Sequence, residues 1–173
     1  MNHNQKTEYG IEDLRYLMRR LRDPKSGCPW DLKQNFQSLT SHTLEEAYEV
    51  VDAIEQDDMS HLSEELGDLL FQIIFYSQLA EEQSQFSFDD IISAITQKLI
   101  RRHPHVFPEG TIESSRVSLA DAEIVEIKRV WEEIKRQERT DKGVGKTLDD
   151  IPLALPALNR ALKLQKRAAN VGF

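Results

Sequence analysis

Apolar residues recur along this chain at helical spacing, and strand-like alternation is nearly absent. Residues 11–22, IEDLRYLMRRLR, place Leu14, Leu17, Met18 and Leu21 on one face, and DPKSGCPWD then breaks the run. A second helix is predicted from Ser41 to Gln56, with Leu44, Ala47, Val51 and Ile54 as its apolar stripe. QDDMS is the turn that follows, with Ser60 as N-cap of a third helix over about 60–84. That helix is apolar round most of its circumference. Leu62, Leu66, Leu69, Ile73, Tyr76 and Ala80 fill the main face, and Phe75 and Leu79 continue round one flank. Ser87 opens a fourth helix, running to about Arg102, and Asp90 completes a capping box. HPHVFPEG ends it. Ser118 opens a fifth over 119–138, TDKGVGKTLDDIP is a polar linker, and a last helix starts near Pro156. The pattern, with only 7 glycines in 173 residues, predicts an all-α protein.

The third helix poses a chemical question. In SEELGDLLFQIIFYSQL, residues 63–79, Glu65 and Asp68 fall beside the apolar face, whereas Glu64 lies on the polar arc. An unpaired carboxylate in a packed interior is costly or takes up a proton, and two close together repel. A divalent cation relieves both problems. In TLEEAYEVVDAI of the second helix, Glu46 and Glu49 are also three apart and share one side, with the small Ala53 continuing their stripe. The short turn makes the two helices antiparallel neighbours, so these acids are expected to face Glu65 and Asp68 across a groove. Four carboxylates form a hard, all-oxygen donor set suited to magnesium, with manganese as a substitute. The competing reading of either pair alone is ordinary solvated surface. A di-iron carboxylate bundle would use Glu-x-x-His pairs, and the chain has none.

Charge and composition narrow the partners. A formal net charge of -8 argues against broad nucleic-acid binding, which needs a basic surface. A phosphorylated ligand would therefore need a metal ion or a local basic cluster. Lys98, Arg101 and Arg102 form such a cluster, although cations at a helix C-terminus also complement its dipole without any ligand. The single cysteine, Cys28, fits a reducing cytoplasm, and its surroundings suggest no activated thiolate. MNHNQKTEYG has no apolar signal core, and no apolar run reaches the roughly 18 residues of a membrane span. Trp30 could stack on a base or plug the end of the bundle. Trp131, among charged residues, suits a partner or ligand. His103 and His105 flank a proline and read as loop residues.

These residues resemble a known family. EEAYE, fifteen residues, then ELGD is similar to the Glu-Glu-x-x-Glu … Glu-x-x-Asp signature of the MazG nucleoside triphosphate pyrophosphohydrolases. GCPWDLKQNFQSL, RRHPHVFPEG, WEEIKRQER and LPALNRALKLQKRAANVGF resemble further stretches of that family in the same order. The resemblance implies an all-α helical bundle assembled by dimerisation. It implies magnesium-dependent cleavage of a nucleoside triphosphate between its α- and β-phosphates, giving the monophosphate and pyrophosphate. By position, Glu46, Glu49, Glu65 and Asp68 become the metal ligands, and Glu45 orients or deprotonates water. Lys98, Arg101 and Arg102 match the basic triphosphate-binding segment, and Trp131 a tryptophan near the nucleotide. Some relatives carry histidine where this chain has Phe36.

Residues 1–140 are expected to form the MazG-like domain, and 141–173 a linker and C-terminal helix. Many bacterial members carry two tandem domains, and this last helix resembles the segment leading into the second, so a further domain is expected beyond it. Two other functions compete with the pyrophosphohydrolase. One is a non-catalytic helical dimerisation or regulatory module that binds a protein partner. The other is a metal-dependent enzyme resembling the all-α dUTPases, which differs only in substrate.

Overall fold

The computed structural model describes residues 8–114, 124–141, 148 and 151–169. Among these there are seven helices and no strand: α1 (Ile11–Leu21), α2 (Pro29–Lys33), α3 (Thr40–Glu55), α4 (Met59–Glu82), α5 (Phe88–Arg102), α6 (Ile124–Asp141) and α7 (Ala157–Ala169). The all-α expectation holds. No helix among the described residues is long and apolar enough to cross a membrane. The chain divides into two compact units, Met1–Ile95 and Thr96–Phe173.

In the first unit α3 and α4 form a hairpin, and α1 packs on α4. The hairpin turns at Asp57, which takes positive φ, and Asp58 caps α4 by accepting from Ser60 N and His61 N at 3.1 and 3.0 Å. Asp58, not the expected Ser60, is therefore the N-cap, because its Oδ1 reaches both free amides. Thr43 Oγ1 and Tyr76 Oη, 2.8 Å apart, pin the two helices together. The core joins Met18 of α1, Leu39 ahead of α3, Ile74, Phe75 and Leu79 of α4, and Phe88 of α5.

The stretch expected only as a breaker contains α2, with Pro29 at the start of the helix, where its missing N–H costs nothing. The turn before it needs glycine: a Cβ on Gly27 would lie 2.3 Å from the Leu21 carbonyl oxygen. Arg22 ties α1, α2 and α4 together. Its Nε and Nη2 donate to Glu82 at 2.8 and 2.6 Å, its Nη1 donates to the Asp31 carbonyl, and its Cζ lies over the Phe75 ring, 5.5 Å from the centroid.

The hairpin covers only part of the apolar face its periodicity suggests: Ala80 is buried and Leu62, Leu69 and Tyr76 are half-buried. Leu66 and Ile73, expected in the core, are 49% and 40% exposed, and Leu44, Val51 and Ile54 of α3 are 48–54% exposed. The buried residues of α4 are Glu65, Gln72, Ile74, Phe75, Ser77, Leu79 and Ala80, so the flank residues Phe75 and Leu79 and the main-face residue Ala80 are all covered. Periodicity finds an apolar face but does not say which surface covers it.

In the second unit α6 begins at Ile124; Ser118, expected to open it, lies outside the described residues. In the first unit, the capping box expected at the start of α5 is present, with Ser87 N donating to Asp90 at 2.8 Å and Asp90 N to Ser87 Oγ at 3.2 Å. The last helix begins one residue after Pro156, as its sequence suggests, and buries none of its residues.

Candidate metal and phosphate sites

Three of the expected acids meet. Glu46 and Glu49 of α3 and Glu65 of α4 each offer a carboxylate oxygen, and the three oxygens lie within 4.8 Å of one another. The i, i+3 spacing puts Glu46 and Glu49 on one side of α3, and the tight hairpin brings α4 alongside. Glu65 is buried, Glu46 half-buried and Glu49 exposed. Asp68, expected in the same groove, is exposed and lies outside this trio. Its charge is still felt there. Burial, and then the charges of Asp68, Glu49, Glu65 and Glu45 in that order, push the Glu46 carboxyl above its usual range. Glu45 itself is exposed, 3.7 Å from His42.

The donor set fits a divalent cation. Three carboxylate oxygens converge, and a bound positive charge would offset the burial and the neighbouring charges, Asp68 first, that raise the Glu46 carboxyl. This cost has a sign. A group whose folded-state pKa is raised supports folding below its unfolded pKa, and that support is lost as pH rises through the folded value. Ionised Glu46 therefore weakens the metal-free fold at neutral pH. The Glu46→Gln variant is expected to melt at a higher temperature than the unaltered chain in chelator at pH 7. It should lose that advantage at acid pH, below the ordinary carboxylate range, where protonation removes the charge, and should gain less stability from added magnesium. Thermal melts at both pH values, with and without the ion, check this.

His61 was not singled out from sequence, yet its Nε2 lies 2.7 Å from Glu65 Oε1. The i, i+4 spacing on α4 was the available signal. Trp30 is half-exposed and meets the His42 ring edge-on, 6.1 Å between centroids, so it does not plug the core. Phe36, the position of the histidine difference, stacks on Tyr76 at 6.0 Å.

The basic segment and Trp131 belong to the second unit. Arg101 and Arg102 both contact Glu138 of α6, each with an Nη2 at 2.6 Å from one carboxylate oxygen. The two guanidiniums hold the Glu138 carboxyl well below its ordinary range, at about 2. Lys98 is half-buried one turn earlier on α5. Trp131 carries the Lys135 ammonium 3.9 Å from its ring centroid and has the His103 ring 6.0 Å away. His103 Nδ1 donates to the Leu99 carbonyl at 2.6 Å, which caps the end of α5.

The helices and the acid trio define an all-α protein with a candidate divalent-metal site built only from carboxylates. Residues 34–107 match the family model of the MazG nucleotide pyrophosphohydrolase domain. The chain is 53% identical over 163 residues to a nucleoside triphosphate pyrophosphohydrolase of Escherichia coli (strain K12), covering 94% of this chain and 59% of that one. It is 40% identical over 168 residues to the nucleoside triphosphate pyrophosphohydrolase/pyrophosphatase MazG of Thermotoga maritima, covering 96% and 60%. The crystal structure of a mazG-related protein from Thermotoga maritima superposes with a TM-score of 0.55 at 25% identity, covering 73% of this chain and 99% of that one. The chain belongs to the MazG family. It spans about three fifths of the length of these curated relatives.

Proposed function

We propose that this chain hydrolyses nucleoside triphosphates to the monophosphate and pyrophosphate with magnesium as cofactor and manganese as a substitute. The observation that carries the reading is the convergence of Glu46, Glu49 and Glu65 on one point between two helices. These three would hold the ion, with Asp68 completing the set from the next turn of α4. A divalent cation there supplies neutralisation of the phosphate oxygens and activation of water. Glu45, exposed beside the cluster, takes the proton of the attacking water. Lys98, Arg101 and Arg102 bind the outgoing pyrophosphate, where the planar fork of arginine suits paired oxygens. Trp131 and Trp30 offer aromatic faces to the nucleotide.

The same proposal includes a homodimer, built on the exposed apolar stripes of α3 and α4, and a cytoplasmic setting. Residues 1–140 act as the MazG domain, and α7 leads towards a second one. The test is pyrophosphate release from a panel of canonical and modified triphosphates, dUTP included. Release is expected with magnesium and none with chelator. Turnover of dUTP alone would assign the narrower substrate class. A chain that binds no magnesium and releases nothing would instead be the non-catalytic dimerisation module.

A further inference from the structure

The two arginines of the basic segment are gripped in a particular way. Arg101 donates to Glu138 Oε1 through Nε at 2.9 Å and Nη2 at 2.6 Å. Arg102 donates to Oε2 through Nε at 3.1 Å and Nη2 at 2.6 Å, with Nε also 3.4 Å from Oε1. Each guanidinium thus commits the edge that carries Nε and Nη2. A guanidinium has a second edge, formed by Nη1 and Nη2, that can also bind two oxygens. Among the described residues, none takes an Nη1 of either arginine. The Glu138 side chain is only 15% exposed, whereas that of Arg101 is 54% exposed, so the trio opens to solvent on the Arg101 side.

We infer that Glu138 is a positioning residue that holds Arg101 and Arg102 by their Nε edges, leaving their Nη1–Nη2 edges as a paired receptor for the phosphates. The inference rests on the proposed phosphate-binding role of these arginines. Two guanidiniums this close repel each other, and one carboxylate between them lets both stay while leaving the trio net positive. Ordering two long side chains in advance removes an entropic cost that phosphate binding would otherwise carry. Glu138 could instead imitate phosphate and compete with it. The geometry disfavours that role, because the edges suited to a second anion remain free.

Calorimetric titration of the full chain with inorganic pyrophosphate and magnesium separates these roles. Glu138→Ala is expected to weaken binding about tenfold, the size of coupling usual within one charge network. In an Arg101→Ala/Arg102→Ala background the same change should have no further effect, because Glu138 acts only through the arginines. Circular dichroism should show unchanged helix content. If Glu138→Ala unfolds the chain, Glu138→Gln, which keeps the shape and removes the charge, carries the same expectation. Unchanged or tighter binding in the Glu138 variant, or a loss that persists without the arginines, would overturn the inference. If removing both arginines leaves pyrophosphate affinity intact, their phosphate role fails and the inference falls with it. If that removal weakens binding while the Glu138 change does not, only the inference falls.

Discussion

Glu49→Gln is expected to fold normally and to lose at least about a hundredfold of magnesium-dependent pyrophosphate release, because a lost metal ligand removes several kcal/mol of transition-state stabilisation. The exposure of Glu49 makes the test clean. Its side chain supports no core packing, and the substitution removes one of the charges that burden Glu46. Helix content by circular dichroism should be unchanged, and magnesium affinity by calorimetry should fall together with turnover. Glu65→Gln should show the same kinetic loss, with more structural consequence, because Glu65 is buried and meets His61 at 2.7 Å.

Asp68→Asn is the informative companion. Asp68 stands outside the trio of convergent oxygens, though its charge acts on Glu46. A loss as deep as that of Glu49→Gln would make it a full member of the metal site once the ion is bound. A loss of tenfold or less would give it an electrostatic role at longer range. Retained turnover in both Glu49→Gln and Glu65→Gln would remove these acids from the reaction.

How far the chain could be read in advance differed from feature to feature. The long helices announce themselves, because apolar residues at a period of 3.6 and clear breakers leave few alternatives. α2 escaped because five residues between a glycine turn and a bend carry no periodicity. Glu46, Glu49 and Glu65 were legible because acids three apart on adjacent helices of a short hairpin have little choice but to approach one another. His61 was legible in principle from its spacing to Glu65. Glu138 was not: it meets Arg102 across 36 residues of chain, and such a contact leaves no local trace. That Leu66 and Ile73 of the apolar face of α4 stay open was illegible for a related reason. Apolar residues that another copy of the chain would cover and those that the chain covers itself look the same in sequence.

That last ambiguity leads to the second large effect. Sedimentation of the unaltered chain is expected to give twice its mass, and Val51→Asp or Ile73→Asp is expected to give the single chain with helix content retained. Leu44, Tyr48 and Val51 on α3, with Leu66, Leu70 and Ile73 on α4, are all between 37% and 58% exposed. Contiguous apolar stripes on neighbouring helices are uncommon on monomers. A hairpin that presents such stripes can meet its own copy about a twofold axis, with the same residues supplied from both sides. Covering the open half of one such side chain contributes about 1 kcal/mol, so twelve of them together can outweigh the cost of association. An aspartate in the seam replaces that gain with a buried, unpaired charge, enough to weaken the dimer by a hundredfold or more, since about 2.8 kcal/mol suffices. Both positions are open to water in the single chain, so the monomer itself should tolerate the change. A chain that sediments as a monomer at high concentration, with these stripes still in solvent, would leave the dimer without support, whatever the acids do.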